Sequence, residues 1–218
     1  MLKSIVKLNR VSKRFGPIKA LVDLSLKVDE GEVTSILGPN GSGKTTLLRI
    51  ISLQLTPTSG EFLLFGGKPE GNYDKRKIGY VAHQIFLYND LTVRENLEFY
   101  YKTFFPNSKF KLENFSEVIS ALKIDRWLEC RVKDLSHGSK KKADITRALI
   151  HSPELLVMDE PFSGLDLEAR EVLIKYLEKL QGEKTIIFSS HEIGLAKEIS
   201  NRGIFLENGR VVKEERFR

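Results

Sequence analysis

One glycine-rich segment constrains the fold of this chain more than any other. It reads Gly-Pro-Asn-Gly-Ser-Gly-Lys-Thr over residues 38–45, between an apolar run at Val33–Leu37 and a helix-like run that begins at Lys44. Glycines let successive backbone N–H groups turn toward one phosphate, and the N-terminus of the following helix adds its positive end. Strand, glycine-rich loop and helix in this order are the context that a P-loop motif requires. The sequence therefore predicts an α/β fold that binds a nucleotide through its phosphates.

Each residue type in this motif has a chemical task. The Lys44 ammonium can reach the β- and γ-phosphates, and the Thr45 hydroxyl can hold Mg²⁺. The other nucleotide-binding candidates of the segment are Gly38, Asn40, Gly41, Ser42, Gly43 and Thr46. The alternative is a glycine-rich turn that merely precedes a helix, and the strand before the loop argues against it.

Two adjacent acids, Asp159 and Glu160, follow an apolar run, Leu155–Met158, that is typical of a strand covered on both faces. Open α/β sheets bind ligands at the carboxyl ends of their strands, where these acids would lie. Asp159 can hold magnesium through water, and Glu160 can act as a general base on the attacking water. An isolated Asp-Glu pair is commonly a surface feature, but beside a P-loop it predicts a nucleotide hydrolase.

The patterns along the chain predict its organisation. Short strands dominate the first third, for example at 5–8, and strand–helix alternation returns in the last third. Between them the apolar period becomes helical. We therefore expect one domain, 1–218, of the α/β P-loop class with an inserted helical subdomain, 86–151. Its core, 1–85 and 152–218, would hold a mostly parallel sheet with antiparallel strands in the N-terminal part.

Local signals place several elements. Thr92 with Glu95 three residues on predicts a capped helix start. Further helices are expected near Ser116 and Gly138, and the P-loop helix is expected to stop near Pro57. In the last third we expect helices over 167–180 and 192–199, a strand over 184–189 and a tight hairpin at Asn208-Gly209.

Composition excludes several classes of protein. No apolar run approaches the roughly 18 residues that span a bilayer, and charge interrupts the N-terminus too early for a signal peptide. The net charge of +6 is spread along the chain without a basic arm, which disfavours nucleic acid. The single cysteine, Cys130, excludes an internal disulfide and a thiolate metal cage. These observations predict a cytosolic protein with no direct membrane insertion.

Segment 135–139 reads Leu-Ser-His-Gly-Ser and shortly precedes the acid pair. It resembles the signature of ATP-binding cassette (ABC) proteins, usually Leu-Ser-Gly-Gly-Gln, from which His137 and Ser139 depart. The family's adenine-stacking aromatic, Q-loop glutamine, D-loop and switch histidine are matched, in order, by Phe15, Gln84, 163–166 and His191. With the P-loop and the acid pair, these motifs cover nearly the whole chain.

The resemblance implies ATP and Mg²⁺ as cofactors and assigns roles to residues. The catalytic residues would be Glu160, His191 and Lys44. The Mg²⁺ ligands would be Thr45, Gln84 and Asp159. Beyond the P-loop, the ATP contacts would be Phe15, Gln84, Ser136 and Gly138. Family members pair head to tail, with ATP between one subunit's P-loop and the other's signature, and Asp166 would communicate between the two sites.

The resemblance also implies partners: a second copy of the chain or a related ATPase subunit, and a separate transmembrane subunit. Aromatic-rich segments at 86–88 and 99–105 match the place where the family docks its membrane partner, although we expect most of these side chains to be core. The sequences of segments 79–84, 91–97 and 161–166 are similar to those of exporter-type subunits, such as the subunits of haem and multidrug exporters. We therefore predict the ATPase subunit of an exporter, peripheral at the inner face of the cell membrane. A soluble cassette ATPase that powers an iron–sulfur scaffold complex is the alternative.

Overall fold

The computed structural model describes residues 3–69 and 73–217. Its strands are β1 (Ser4–Phe15), β2 (Ile18–Asp29), β3 (Val33–Leu37), β4 (Ser59–Leu64), β5 (Ile78–Val81), β6 (Leu155–Met158), β7 (Thr185–Ser190), β8 (Arg202–Glu207) and β9 (Arg210–Arg216). Its α-helices are α1 (Lys44–Ile51), α2 (Val93–Phe104), α3 (Ser116–Ala121), α4 (His137–Leu149), α5 (Leu167–Lys179) and α6 (Ile193–Ile199). Within these ranges no helix is both long and apolar enough to cross a membrane.

The larger sheet has six strands in the order β5-β6-β7-β3-β8-β9. Five of them run parallel, and β9 returns antiparallel to β8 through the expected hairpin at Asn208-Gly209, whose two residues have φ of +50° and +74°. Leu37 pairs with Ser190 and Met158 with Phe188. This register brings the carboxyl ends of β3, β6 and β7 to one edge of the sheet.

The smaller sheet has the order β2-β1-β4 and is antiparallel throughout, which confirms the expected combination of parallel and antiparallel parts. β1 and β2 are longer than the alternating runs that predicted them, because register shifts interrupt the alternation. Arg10 and Asp23 lie at these shifts with φ of +46° and +47°. The Asp23 backbone N–H donates to Ser12 Oγ at 3.0 Å, which fixes the irregular backbone.

α1 lies between the two sheets, and the remaining helices cover the opposite face of the larger one. Alternation along β6 separates the two cores: Leu155 and Val157 pack on the α1 side, and Leu156 and Met158 on the other. All four side chains are buried, as the continuous apolar run predicted. The acids that follow β6 therefore leave a strand covered on both faces.

α1 ends earlier than we expected. Its last residue is Ile51 rather than one near Pro57, because Leu53 adopts a left-handed backbone with φ +60°. The Gln54 N–H then donates back to the Arg49 carbonyl at 2.8 Å, a helix-ending pattern usually associated with glycine. The sequence carries no glycine here that would signal this end, and so the predicted helix extends too far.

α2, α3 and α4 all lie within 86–151, and the boundaries of a separate helical subdomain stay a prediction. The start of α2 is the predicted capping box: the Glu95 N–H donates to Thr92 Oγ1 at 3.1 Å, and the Thr92 N–H donates to Glu95 Oε2 at 2.7 Å.

The aromatic side chains of this region are less buried than we expected. Phe86, Tyr88 and Phe99 are 45%, 50% and 46% exposed, and Tyr100 is half-buried. The Tyr88 and Phe99 rings meet edge to face with centroids 5.0 Å apart, and those of Phe99 and Tyr100 are 5.4 Å apart. Phe86, Tyr88, Phe99 and Tyr100 form a cluster at the surface, called the aromatic patch below. Of the seven aromatics in these segments, its first three members are exposed and the other four are half-buried, so the core that we expected takes in only part of them.

Candidate functional site

The P-loop leaves the sheet after Leu37 and reaches α1 along a path that depends on two glycines. Gly38 has φ +146°, and a Cβ there would lie 2.2 Å from the Leu206 carbonyl oxygen. Gly43 has φ +105°, and a Cβ there would lie 2.7 Å from the Ala20 carbonyl oxygen. A side chain at either position would collide with β8 or β2, so only glycine allows this loop.

Lys44, the first residue of α1, is 7% exposed. Its ammonium donates to the carbonyl oxygens of Gly38 at 2.8 Å and Pro39 at 3.2 Å, and it lies 3.7 Å from Glu160 Oε1. The charge is therefore held within the turn of the loop, with an acid from the next strand end on its other side. A phosphate entering the loop would compete with these carbonyls for the ammonium protons.

Ser42 gives a second indication that the loop is shaped for a ligand. Its hydroxyl is buried and has no hydrogen-bond partner in the described part of the chain. Leaving a buried hydroxyl unpaired is costly, and a phosphate oxygen would relieve that cost. The other predicted ligands of this segment divide between the exposed loop tip and the half-buried first turn of α1: Asn40, Gly41, Thr45 and Thr46.

The acid pair is fixed by a serine of the neighbouring strand. Asp159 is 1% exposed, and its N–H donates to the Val81 carbonyl at 2.8 Å. Ser189 Oγ donates to Asp159 Oδ1 at 2.7 Å and accepts the Glu160 N–H at 2.8 Å. One buried hydroxyl thus sets both the direction of the Asp159 carboxylate and the backbone of Glu160.

Glu160 lies at the centre of the predicted catalytic group. Its backbone is left-handed, with φ +49°, a conformation that costs a residue with a side chain about 1 kcal/mol or more. Its carboxylate lies between the Lys44 ammonium and His191, whose Nδ1 is 3.1 Å from Glu160 Oε2. The structure therefore brings together all three predicted catalytic residues at the carboxyl edge of the sheet.

The donor set at this edge fits Mg²⁺. Thr45 and Asp159 offer one hydroxyl and one carboxylate, and magnesium commonly uses one or two protein carboxylates with phosphate oxygens and waters. Across residues 3–69 and 73–217, no group of three or more His, Cys, Asp or Glu side chains could hold a metal unaided. A metal here would depend on the phosphates of the nucleotide.

Two predicted ATP contacts lie near the P-loop by topology rather than by contact. Phe15 ends β1 and is 45% exposed, and β2 continues from its partner Ile18 to Ala20, which lies against the loop. Gln84 follows β5 at the same edge of the sheet as Asp159, but its side chain is exposed and no hydrogen bond joins the two. The roles of Phe15 and Gln84 stay predictions.

Ser136 is the N-cap of α4, at the start of the signature. Its Oγ accepts the Ser139 N–H at 3.2 Å and donates to Ser139 Oγ at 3.1 Å. Ser139, which stands where the family has glutamine, thus uses its hydroxyl within the same helical turn. Among the described residues, no hydrogen bond or ion pair joins Ser136 or Gly138 to the P-loop, and their role toward ATP stays a prediction.

The rest of the signature packs on the D-loop and α5. A Cβ on Gly138 would lie 3.4 Å from Ala169 Cβ, and a Cβ on Gly164 would lie 3.0 Å from the His137 ring. His137 itself is exposed. The His137 ring therefore lies over Gly164 in the D-loop. A glycine at position 137, as in the usual signature, would leave Gly164 uncovered.

Two interactions escaped the sequence prediction. Ser189 could have been found, because a polar residue near the end of a strand predicted to be buried beside β6 invites a partner in the acid pair. The ion pair between Arg170 on α5 and Glu192 after β7, 2.5 Å at its shorter contact, could not. Nothing in the sequence pairs residues of those two segments.

Comparisons with known proteins agree with this arrangement. A family model described as "ABC transporter" matches residues 21–163. The chain is 32% identical to a probable sulfate/thiosulfate import ATP-binding protein CysA of Chlorella vulgaris, over 94% of this chain and 89% of that protein. It is 34% identical to a Nod factor export ATP-binding protein I of Rhizobium etli, over 99% of this chain and 69% of that protein. It spans only 58% of a second CysA, from Synechocystis sp..

A solved structure matches over almost the full length of both chains. It is the ATP-binding cassette MJ0796, determined as a dimer in a post-hydrolysis state bound to ADP and Pi. The TM-score is 0.88 at 33% identity, and the match covers 98% of this chain and 99% of that one. The match extends the agreement from the motif-bearing segments to the whole fold.

Proposed function

The chain belongs to the ABC transporter family and is an ATPase cassette, and we propose that its sites work as follows. Two copies close head to tail around ATP and Mg²⁺, hydrolyse the ATP and drive a separate transmembrane subunit. The observation that carries the proposal is the convergence of Lys44, Glu160 and His191 at the carboxyl edge of the sheet. Three charged or titratable side chains from three separate segments meet there, next to a glycine-rich loop.

The residues of this edge divide the work between binding and proton transfer. The loop N–H groups and Lys44 hold the β- and γ-phosphates. To reach them, the Lys44 ammonium gives up its hydrogen bonds to the carbonyls of Gly38 and Pro39. Thr45 and Asp159 hold Mg²⁺, which supplies positive charge against the developing negative charge of the phosphates. Glu160 takes a proton from the attacking water, and His191 orients the Glu160 carboxylate from Nδ1.

The second half of each ATP site comes from the other copy. Ser136 and His137, at the start of α4, are exposed, and the start of the helix offers N–H groups and a positive end suited to a γ-phosphate. With Ser at position 139, the Ser136 hydroxyl is bonded to Ser139, and it would have to release the Ser139 hydroxyl to donate to a phosphate. The dimeric state of the matching MJ0796 structure supports this pairing.

The aromatic patch is the proposed contact for the transmembrane subunit. Large aromatic side chains at nearly half exposure are typical of interface anchors. The chain would then be held at the inner face of the cell membrane by that subunit. Tyr100 steadies the patch, because its hydroxyl donates to the Phe86 carbonyl at 2.7 Å.

Export is the proposed direction of transport. The exporter-like sequences of segments 79–84, 91–97 and 161–166 support it, and one relative is named for Nod factor export. Other relatives are named for sulfate/thiosulfate import and for glutamine transport, so overall similarity does not separate the two directions. Transport into or out of vesicles that carry the complete complex decides it.

The function is tested by purifying the tagged chain from its own cells in mild detergent and assaying Mg-ATP hydrolysis with and without the proteins bound to it. We expect a multispanning membrane protein that stimulates hydrolysis and is lost when Phe86 and Phe99 are both changed to Ser. A matched change of Phe205, whose ring lies beside Lys213 on β8–β9, should retain it. A soluble scaffold in its place would support the iron–sulfur alternative and refute the transporter role.

A further inference from the structure

We propose that the Arg170–Glu192 ion pair is a positioning device that holds His191 against Glu160 and links it to the D-loop helix. The inference rests on the proposed function, because it assigns His191 its neighbours in that same site. Arg170 and Glu192 touch neither nucleotide nor Mg²⁺ in this account. They act through His191, and are positioning residues rather than catalytic ones.

The geometry of the pair favours a structural constraint over a casual surface contact. Arg170 Nη1 donates to Glu192 Oε2 at 3.0 Å, and Arg170 Nη2 donates to Glu192 Oε1 at 2.5 Å. Two parallel hydrogen bonds fix the orientation of both planar groups, which a single contact does not. The side chains are 30% and 37% exposed, so water only partly screens them.

The Glu192 side chain bonds to Arg170 rather than capping its own helix. It occupies the N-cap position of α6, yet its side chain makes no hydrogen bond to that helix. Its N–H instead donates to Ser190 Oγ at 3.0 Å, and its carboxylate reaches across to α5. The backbone on the far side of His191 is thereby tied to β7 on one side and to α5 on the other.

His191 needs such support because little else holds it. Its side chain is 58% exposed, and its one hydrogen bond in the described structure is the 3.1 Å contact from Nδ1 to Glu160 Oε2. Glu192 is the next residue, so a shift of Glu192 moves the imidazole directly. Misplacing a reacting or orienting group by about 1 Å can cost as much as a hundredfold in rate.

The other end of the pair leads to the D-loop. The Arg170 N–H donates to the Asp166 carbonyl at 2.9 Å, and Asp166 caps α5 by accepting the Ala169 N–H at 2.8 Å. Two residues before Asp166, Gly164 lies under the His137 ring. The pair therefore joins the signature side, which faces the partner's ATP, to the histidine that serves the chain's own ATP.

The direct test needs no nucleotide. The chain has only four histidines, so imidazole ¹H–¹⁵N spectra of the full chain resolve His191, assigned with His191→Gln. Arg170→Met and Glu192→Gln should each shift the His191 ring signals. Lys179→Met is the matched control, because it breaks an ion pair on the same helix, 2.7 Å to Glu117, far from His191. Unmoved His191 signals in both site variants, with each chain still folded, would overturn the proposal.

The kinetic test separates positioning from binding. In steady-state hydrolysis by the full chain, Arg170→Met and Glu192→Gln should lower kcat about tenfold while KM for ATP stays within about twofold. The Hill coefficient for ATP should fall toward 1, because the link between the two half-sites is cut. Exchanging the charges, Arg170→Glu with Glu192→Arg, should recover most of the lost kcat.

The outcomes distinguish this inference from the function on which it rests. If the unmodified chain hydrolyses no ATP, the proposed function fails, and the imidazole spectra still decide the role of the pair. If the unmodified chain is active and the two site variants match Lys179→Met in kcat, the positioning role is refuted. Equal slowing of the single and the exchanged variants would also refute it, since a restored ion pair should restore His191.

Discussion

The two half-sites of this chain are built in different ways. The P-loop half-site (the P-loop, the acid pair, Ser189 and His191) fixes its charged side chains by contacts within the chain. Lys44, which lies 3.7 Å from Glu160, and Asp159, which accepts from Ser189, are only 7% and 1% exposed. The signature half-site, residues 136–139, is the start of α4. Its exposed members are Ser136, which bonds to Ser139 in the same helical turn, and His137, whose ring lies against Gly164 of the D-loop. The first is organised within one chain, whereas in the proposed function the second becomes a site only when another copy covers it.

This difference explains where substitutions are tolerated. In the P-loop half-site, a Cβ on Gly38 collides with backbone, and the hydroxyl of Ser189 serves two partners. In the signature half-site, Ser139 replaces a longer residue and still closes the first helical turn, and His137 finds room above Gly164. A residue whose charge is held in place by several neighbours cannot be substituted without disturbing them. A residue at an exposed helix start can be substituted, provided that the helix cap and the free N–H groups remain.

The largest effect should come from breaking the P-loop half-site at its ammonium. Lys44→Ala removes the charge that meets the β- and γ-phosphates, and hydrolysis should fall on the order of 1000-fold. Phosphate release measures the rate, and Lys175→Ala, an exposed lysine on α5, is the control that should leave it unchanged. A Lys44→Ala chain that keeps more than about a tenth of the rate would place the phosphates elsewhere.

A smaller loss should follow from Ser189→Ala. Asp159 loses a donor and the Glu160 N–H loses its acceptor, so kcat should fall between about tenfold and a hundredfold, with about 1–3 kcal/mol less stability. Ser200→Ala is the matched control, since that buried serine donates to the Ala196 carbonyl at 2.6 Å away from the site. Both variants should be less stable in urea, and only Ser189→Ala should be slow. Equal rates would show that the acids hold their geometry without the serine.

Two substitutions of Ser136 test whether the signature half-site meets the partner's γ-phosphate. Ser136→Asp keeps the helix cap but sets a negative charge where the partner's γ-phosphate should arrive, so hydrolysis should fall at least about tenfold at unchanged stability. Ser136→Ala removes the cap at a cost of about 1 kcal/mol and should slow hydrolysis less. Rates and urea midpoints of both variants check this. An active Ser136→Asp chain would mean that the phosphate never meets this residue.

The smallest effect on hydrolysis is expected at His151, which belongs to neither half-site. Burial lowers the pKa of its ring from 6.5 to about 4, and Nδ1 is buried without a hydrogen-bond partner. The unfolded chain takes up a proton below pH about 6.5 that the folded chain resists down to about 4, so stability falls through that window. The ring also stacks on Phe104, with centroids 4.2 Å apart, so a neutral aromatic replacement fits the site.

His151→Phe should therefore hydrolyse ATP at the normal rate and lose this pH dependence. The stability of the unmodified chain relative to the variant should decrease by on the order of 3 kcal/mol between pH 7 and pH 4. Urea unfolding at a series of pH values measures it. Parallel stability curves for the two chains would show that the His151 ring takes up its proton as readily in the folded chain as in the unfolded one.

The two half-sites also differ in how far sequence could predict them. The P-loop and the acid pair are local patterns with a required order of strand, loop and helix, and their convergence follows from parallel strands ending at one edge. Their fixing partner, Ser189, lies 29 residues beyond Glu160 in the chain. Its place near the end of a predicted buried strand makes it a candidate, but the pairing itself depends on strand order, which no local pattern contains. The Arg170–Glu192 pair escaped the sequence for the same reason.

Elsewhere the local signals were sometimes misleading. α1 ends early because Leu53 has a left-handed backbone, which is uncommon for a residue with a side chain. Arg10 and Asp23 have the same kind of backbone, and the register shifts beside them interrupt the alternation by which the full length of β1 and β2 could have been predicted. The exposure of Phe86, Tyr88 and Phe99 could not be predicted either. A helical period shows which side chains share a face, but not whether the fold covers that face.

The central claim, that one chain's P-loop half-site is completed by another chain's signature, is tested most directly with Glu160→Gln. This variant should bind ATP without hydrolysing it, because the carboxylate that accepts the water proton is gone. On sedimentation velocity with Mg-ATP it should form a dimer, while with ADP, or with Ser136→Asp added, it should stay monomeric. A Glu160→Gln chain that binds Mg-ATP and remains a monomer at high concentration would contradict the account and point to an obligatory different partner.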